Sequence, residues 1–207
     1  MTFLLGLTGS IGMGKSTTAG LFAQAGCEIW DADAAVHRLY AQGGAAIAPI
    51  QKAFPASVID GAVSRDALKQ ILAADPALFS QLEAIVHPLL AADRKAFRDG
   101  AKSDILVFDI PLLFETGGEA AMDAVACVRV DAETQRDRVM QRGTMTEAQF
   151  EQILAKQMPI DEKCARADFV IETDTPEHAR AQVEAVLQHI RKTLLAKTQS
   201  KEAQSDA

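Results

Sequence analysis

The sequence predicts an α/β fold with a five-stranded parallel sheet covered by helices. Short apolar runs alternate with longer segments of helical periodicity, which is typical of a parallel sheet wrapped by helices. A glycine-rich motif lies between the first apolar run and the first helical segment, and a long helical stretch separates the second run from the third. The strands are expected near residues 3–8, 27–31, 104–109, 125–130 and 168–172.

The motif at residues 9–16 is the most specific feature of the chain. It reads G-x-x-x-x-G-K-S, the phosphate-binding loop, between the apolar run at 3–7 and a helix predicted over 16–25. The glycines let backbone N–H groups turn toward a polyphosphate, and the helix N-terminus adds the positive end of its dipole. The fold is therefore expected to be a three-layer P-loop NTPase fold. The predicted nucleotide-binding residues are Gly9, Ser10, Ile11, Gly12, Met13, Gly14, Lys15, Ser16 and Thr17.

Lys15 and Ser16 are the residues of this loop that carry chemistry. In the motif, the lysine ammonium reaches the β- and γ-phosphates and the hydroxyl of the next residue holds Mg²⁺. A nucleotide polyphosphate as phosphoryl donor and Mg²⁺ as cofactor are therefore expected. The alternative is a glycine-rich turn that only connects a strand to a helix, and the position of the motif between these two elements disfavours it.

Three aspartates lie where predicted strands end. Asp31 and Asp33 follow the second strand, at the carboxyl edge of the sheet where ligands of open α/β sheets bind. We predict that Asp33 accepts the proton of a substrate hydroxyl and that Asp31 helps to order Mg²⁺. Asp109 closes the third strand and is a Walker-B-like candidate for Mg²⁺. The alternatives are an N-cap for Asp31, a first-turn acid for Asp33 and a turn residue for Asp109.

A helical insert of about residues 43–100 is predicted between the second and third strands, because this gap is far too long for one crossover. Asp75-Pro76 and His87-Pro88 are expected to separate helices, since proline is tolerated in the first helical turn and biases the preceding residue away from helix. A substrate other than the nucleotide could bind to this insert. The predicted helices cover residues 47–54, 64–73, 76–86 and 88–98.

A second helical insert follows the fourth strand and resembles a hinged lid of about residues 136–165. The polar segment 132–142 carries Arg136, Arg138 and Arg142, which are either catalytic or part of a solvated helix face. Residues 146–149 have the spacing of a capping box, which predicts the start of another helix.

One domain over residues 1–195 accounts for these elements, with core segments 1–42, 101–135 and 166–195. Its last helix is expected to begin at Thr175-Pro176 and to end at about Leu195. The remaining segment, residues 196–207, is polar and lacks periodicity, so it is expected to be disordered.

Composition and net charge limit which partners and which cellular compartment are expected for this chain. The net charge of −7 disfavours nucleic acid, whose phosphates require a broad basic surface. The chain shows no signal peptide and no run long enough to span a membrane. The three cysteines lack C-x-x-C spacing and are interpreted as reduced thiols of a cytoplasmic protein. A monomer or a small homo-oligomer is expected.

Five segments together resemble the dephospho-CoA kinase family. They are residues 6–16, Asp-Ala-Asp at 31–33, His-Pro at 87–88, Pro-Leu-Leu-Phe-Glu at 111–115 and Ala-Asp-Phe-Val-Ile at 167–171. They occur in the order of the family and cover residues 1 to about 195. Phosphate loops are shared by many enzymes, but the other segments are far more selective.

The resemblance implies ATP-dependent phosphorylation of the ribose 3′-hydroxyl of dephospho-CoA, the last step of coenzyme A synthesis. It assigns Lys15 to phosphate, Ser16 to Mg²⁺ and Asp33 to the proposed base, and the helical insert to CoA binding. Arg138 and Arg142 match lid arginines that close over the transferring phosphate. Further candidates for substrate contacts are His87, Leu113 and Glu115, with packing or capping as the alternative for His87 and Glu115.

Two other readings remain open from the sequence. One is another small-molecule kinase of the nucleoside and shikimate kinase group, which the long insert and residues 111–115 disfavour. The other is a nucleotide-dependent switch that uses hydrolysis to change partners. Against the switch, the chain has no Asn-Lys-x-Asp element for reading guanine and no Glu directly after Asp109.

Overall fold

The computed structural model describes residues 2–205, with side chains for residues 2–196. Its main sheet has five strands in the order β2-β5-β1-β6-β7, and the pairings of β1 with β5, β1 with β6 and β6 with β7 are parallel. The predicted five-stranded parallel sheet is thus confirmed, with each strand bound within one residue of its expected position. The strands are β1 (Phe3–Gly9), β2 (Glu28–Asp31), β5 (Ile105–Asp109), β6 (Ala124–Arg129) and β7 (Phe169–Glu172).

The chain divides into two compact units. The first unit consists of the residues up to Ile29 and those from Lys102 onward, and the second is Trp30–Ala101. The second unit begins before the predicted insert of 43–100, because the helix that follows β2 packs against the longest helix of this unit.

The first unit places helices on both faces of the sheet. Alternate strand residues point to opposite faces, so Leu5 and Leu7 of β1 pack with Phe22 on one side. Val125 points to the other side, where it packs with Leu113 and Phe114. The helices of this unit are α1 (Lys15–Gln24), α6 (Ala132–Gln141), α7 (Glu147–Leu154), α8 (Ile160–Arg166) and α9 (Pro176–Ser205).

The lid segment, which we define as residues 136–165, contains the end of α6, all of α7 and most of α8. The capping box predicted at the start of α7 is present, since Thr146 and Gln149 each accept a hydrogen bond from the other's backbone N–H. Helix α8 packs on β6 and brings Cys164 to Cys127, whose sulfur atoms are 3.8 Å apart as free thiols. The sequence separation of 37 residues hides this proximity.

The second unit has its own apolar core, which includes Leu39, Ile50, Phe54, Leu68 and Val86. Its helices pack around a short antiparallel hairpin of two strands, β3 and β4. The elements are α2 (Ala32–Tyr40), α3 (Ile47–Ala53), β3 (Val58–Ile59), β4 (Ala62–Val63), α4 (Arg65–Ala74) and α5 (Phe79–Gly100).

Two predictions for this unit are wrong. The helix break expected at His87-Pro88 is absent, and α5 runs through Pro88 as one helix of 22 residues. The helix expected over 76–86 begins three residues late, at Phe79, because Pro76 begins a single 3₁₀ turn, Pro76–Leu78. Apolar residues on both sides of Pro88 pack against the same core, and this packing compensates for the hydrogen bond that proline removes.

Helix α9 continues past its expected end near Leu195 to Ser205. The backbone of residues 196–205 therefore differs from the expected disordered tail, whose last two residues lie outside the described part of the chain. None of the helices in the described residues is both long enough and apolar enough to cross a membrane.

Candidate active site

The phosphate-binding loop connects β1 to α1, as predicted. Gly12 and Gly14 both have left-handed backbone conformations, with φ of 78° and 83°, and Gly14 is the N-cap of α1. A Cβ on Gly12 would lie 2.5 Å from Val139 Cγ2, and one on Gly14 would lie 3.1 Å from Thr173 Oγ1. Both the conformation and the close approach of neighbouring elements therefore require glycine at these positions.

Lys15 and Asp109 form an ion pair between the first residue of α1 and the last residue of β5. Asp109 is almost completely buried, and Lys15 is 15% exposed. Parallel strands bring their carboxyl ends to one edge of the sheet, which is why two residues 94 positions apart meet here. The structure thus unites the predicted phosphate-binding lysine with the predicted Walker-B-like acid.

The residues predicted to hold Mg²⁺ have suitable donor atoms. Ser16 is exposed in the first turn of α1, directly after the lysine that pairs with Asp109. A hydroxyl and a carboxylate suit this ion, which takes one or two protein ligands and fills its other positions with phosphate oxygens and water. Among residues 2–196 there is no group of three or more His, Cys, Asp or Glu side chains that could hold a metal ion by themselves.

A cavity of about 270 Å³ adjoins the loop and receives both predicted lid arginines. Arg138 reaches it from α6, and Arg142 follows the end of that helix. The lining residues are Gly12, Gly14, Thr17, Thr18, Arg138, Arg142, Thr173, Thr175, Pro176 and Ala179. A cavity that combines a helix N-terminus with two guanidinium groups is suited to a polyphosphate.

Arg138 is held in place by the connection between β7 and α9. Its guanidinium donates to the carbonyl oxygen of Thr173 at 2.7 Å and to the Thr173 hydroxyl at 3.3 Å. The same hydroxyl donates to the carbonyl oxygen of Met13 at 2.9 Å and so connects this arginine to the phosphate loop. Thr173 was missed by sequence reasoning, because a single threonine after a strand carries no motif.

Arg136, the third arginine of the lid, does not line the cavity. It forms a bidentate pair with Glu147 at 2.6 and 2.7 Å and thereby connects α6 to α7. The solvated-face alternative therefore describes Arg136, whereas Arg138 and Arg142 lie at the candidate site.

Two glutamines that no sequence motif marks also contact the loop. Gln135 of α6 donates its amide to the carbonyl oxygen of Ile11 at 2.7 Å. Gln157, between α7 and α8, accepts a hydrogen bond from the N–H of Ile11 at 3.2 Å. These contacts join residues more than 120 positions apart, which local sequence patterns do not reveal.

Leu113 and Glu115 take part in the packing of the first unit. Leu113 is completely buried and packs against Gly6, and its expected contact with the substrate stays a prediction. Glu115 accepts from the N–H of Met158 at 2.9 Å and pairs with the fully buried Lys163 at 2.8 Å. Burial raises the pKa of Glu115, but hydrogen bonds from Lys163 and Met158 outweigh it, so this pKa lies below its ordinary value.

The second unit carries the other predicted site residues. Asp31 is the N-cap of α2, since its Oδ1 accepts from the N–H of Ala34 at 2.9 Å, as the structural alternative predicted. Asp33 lies in the first turn of the same helix with an exposed side chain. His87 is exposed on α5. Their roles in the reaction stay predictions.

A second cavity, of about 390 Å³, lies within this unit. Its walls are mostly apolar, but Arg65 and Lys69 of α4 add two positive charges, and the Arg65 guanidinium lies 6.0 Å from the centre of the Tyr40 ring. Phe79 is half exposed at its edge. The lining residues are Tyr40, Arg65, Leu68, Lys69, Leu72, Ala73 and Phe79.

Comparison with known proteins identifies relatives over most of the chain. Residues 3–178 match the family model described as dephospho-CoA kinase. A dephospho-CoA kinase from Ruegeria pomeroyi is 70% identical over 191 residues, which are 92% of this chain and 97% of that protein. A dephospho-CoA kinase structure from Campylobacter jejuni aligns at 26% identity and a TM-score of 0.69, over 93% of this chain and 99% of that one. The crystal structure of TT1252 from Thermus thermophilus aligns at 30% identity and a TM-score of 0.82, over 91% and 97% of the two chains.

Proposed function

This chain belongs to the dephospho-CoA kinase family, and on that premise we propose how its residues divide the work of the reaction. It is a kinase that phosphorylates dephospho-CoA. In the proposed reaction, ATP donates its γ-phosphoryl group to the ribose 3′-hydroxyl, and coenzyme A and ADP are the products. The observation that carries this mechanism is the phosphate loop with its Lys15–Asp109 pair, beside a cavity lined by Arg138 and Arg142.

The loop and the lid arginines bind the polyphosphate. An ammonium group has three donors, so Lys15 can keep its contact with Asp109 while it donates to the β- and γ-phosphates. Arg138, held by the backbone carbonyl of Thr173, presents its charge without a large loss of side-chain entropy. Arg142 is exposed and completes the positive wall when the lid closes.

Ser16 and Asp109 would hold Mg²⁺, which neutralises phosphate charge when it is bound. Ser16 is exposed in the first turn of α1, and the Asp109 carboxylate lies at the end of β5 beside Lys15. Asp31 remains a proposed contributor through the waters of the ion, since one of its oxygen atoms caps α2.

Asp33 is the proposed general base. Its exposed carboxylate follows the carboxyl end of β2, the edge of an α/β sheet where substrates bind. There it would accept the proton of the 3′-hydroxyl as that oxygen attacks the γ-phosphorus in line with the leaving ADP.

The cavity of the second unit is the proposed site for the rest of the acceptor. Dephospho-CoA carries a diphosphate and a long pantetheine arm, which are suited respectively to the charges of Arg65 and Lys69 and to the apolar wall beside them. His87, exposed on α5 of the same unit, is a further proposed contact.

A coupled ADP-release assay tests the function. Mg²⁺ and ATP are supplied with dephospho-CoA, with adenosine, with shikimate and with no acceptor, and coenzyme A is identified by mass. We expect ADP release to depend on dephospho-CoA. Equal release without an acceptor would indicate a nucleotide-hydrolysing switch, and release that depends on adenosine or shikimate would indicate another kinase of this fold.

The cytoplasm is the proposed compartment, because Cys27, Cys127 and Cys164 are free thiols, as expected where thiols are kept reduced. A monomer or a small homo-oligomer remains the proposed assembly, and sedimentation velocity would distinguish these states.

A further inference from the structure

The two glutamines that contact the phosphate loop both form a hydrogen bond with the backbone of Ile11. Gln135 Nε2 donates to the carbonyl oxygen of Ile11 at 2.7 Å, and the N–H of Ile11 donates to Gln157 Oε1 at 3.2 Å. A backbone N–H can only donate and a carbonyl can only accept, so these contacts also determine how each side-chain amide is oriented. The peptide groups on both sides of the Ile11 Cα are therefore restrained.

The side chain of Gln135 is confined by the packing of α6 against the loop. Gln135 is 5% exposed. Its backbone carbonyl oxygen would lie 3.0 Å from a Cβ at Gly12. Helix α6 thus lies directly against the loop, and Val139 of the same helix approaches Gly12 more closely still, at 2.5 Å from such a Cβ. A buried amide with one short hydrogen bond to the loop is a rigid support for it.

Gln157 belongs to the lid segment and is half-buried in the turn between α7 and α8. The next residue anchors this turn, because the N–H of Met158 donates to Glu115 and Glu115 pairs with the buried Lys163. The position of Gln157 is therefore set by the docking of the turn on Glu115. A movement of the turn away from the loop would break the hydrogen bond to Ile11.

The peptide groups after Ile11 are those that meet the phosphates in a loop of this type. The backbone angles at Ile11 set the direction of the N–H groups of Gly12 and of the residues that follow. We propose that Gln135 and Gln157 are positioning residues for ATP, and that Gln157 makes the binding conformation of the loop depend on the docking of the lid segment. This inference rests on the proposed function, since it concerns how the same site binds its donor.

Paired substitutions by glutamate separate hydrogen bonding from charge. Gln157→Glu keeps an acceptor for the N–H of Ile11, whereas Gln135→Glu replaces the donor with an oxygen that faces the carbonyl of Ile11. Both variants add one negative charge beside the loop. We expect the KM for ATP to rise at least ten-fold more in Gln135→Glu than in Gln157→Glu. In the first variant two oxygen atoms face each other without a donor, which costs more free energy than the hydrogen bond that the second variant retains.

An uncharged variant tests Gln157 alone. Gln157→Leu removes the acceptor at similar size, and we expect the KM for ATP to rise about five-fold, the effect of one neutral hydrogen bond. The KM for dephospho-CoA at saturating ATP should change less than two-fold. Gln152→Ala, an exposed glutamine of α7, is the matched control and should behave as the wild type.

Trypsin cleavage after Arg142 and Lys156 reports docking of the lid segment. Gln157→Leu should be cleaved faster there than the wild type, and a non-hydrolysable ATP analogue should protect it less. An unchanged KM for ATP in Gln157→Leu, or equal changes in the KM for both substrates, would overturn the proposal. Titration with the same analogue gives a Kd without turnover, so the role of the glutamines is tested even if dephospho-CoA proves not to be the acceptor.

Discussion

At the scale of single residues, Lys15 is the residue whose observed contact bears most directly on the proposed chemistry. Lys15→Ala removes the ammonium that stabilises charge on the transferring phosphoryl group, and we expect kcat to fall by about 10²- to 10³-fold. Because Asp109 loses its ion-pair partner, the thermal unfolding temperature is measured in parallel, so that lost folding is not mistaken for lost chemistry. A variant that folds and keeps near-full turnover would contradict the assignment of the phosphate loop.

Asp33 offers a sharp test of general base catalysis. Asp33→Asn keeps the size and removes the proton acceptor, so kcat should fall by about 10²-fold or more while the KM for ATP stays within about two-fold. Asp66→Asn is the matched control, because Asp66 is the second residue of α4 just as Asp33 is the second residue of α2, and both are exposed. Equal kcat values for the two variants would remove Asp33 from the mechanism.

The candidate site residues that local motifs predict are found close together in the structure. The loop, Lys15, Asp109, Arg138 and Arg142 are all brought to one region of the first unit. Thr173 and the two glutamines were not predicted, because their contacts depend on how α6 and the β7–α9 connection pack against the loop. Leu113, which belongs to a selective motif, lies in the apolar core with Phe114 and Val125.

At the scale of elements, periodicity predicted the sheet better than the insert. Buried parallel strands are short apolar runs, and such runs are visible without tertiary information. The hairpin at residues 58–63 was not predicted, although Asp60-Gly61 separates two apolar pairs. Asp60 and Gly61 have positive φ, of 51° and 76°. Asp-Gly in this setting favours a two-residue hairpin turn.

The buried ion pair of Lys163 with Glu115 joins helix α8 to the segment that follows β5, and its strength should depend on pH. The pKa of Glu115 lies below its ordinary value of 4.5, so the pair stabilises the fold above that pH and loses this effect as the pH falls through the lower pKa of the folded state. Glu115→Gln should therefore destabilise the protein by about 1–3 kcal/mol at pH 7 and by less at pH 4.

Thermal unfolding of Glu115→Gln and of the wild type between pH 7 and pH 4 measures the difference in stability. Glu172→Gln is the control, because the pair of Glu172 with Arg129 is exposed and should contribute less than about 1 kcal/mol. A constant difference between Glu115→Gln and the wild type from pH 7 to pH 4 would contradict the charged pair.

At the scale of the whole molecule, the alternation of strands and helices was sufficient to predict the fold class. The start of the second unit was not predictable in the same way. Helix α2 follows a strand of the main sheet, yet its side chains Leu39 and Tyr40 belong to the apolar core of the second unit. Which core a helix joins is decided by packing between distant segments, and the hydrophobic pattern of the helix itself is the same in either case.

The division into two units predicts that each substrate protects a different part of the chain from hydrogen exchange. A ligand at a hundred times its Kd slows exchange about 100-fold wherever opening requires its release. A non-hydrolysable ATP analogue with Mg²⁺ should therefore protect amides of residues 9–17, and dephospho-CoA should protect residues 65–79, which line the cavity of the second unit. Adenosine 5′-monophosphate lacks the diphosphate and the pantetheine arm, so it should leave residues 65–79 unprotected. If dephospho-CoA protected only the first unit, the acceptor would have to be reassigned to the sheet edge, and Arg65 and Lys69 would be charges of a solvated helix surface.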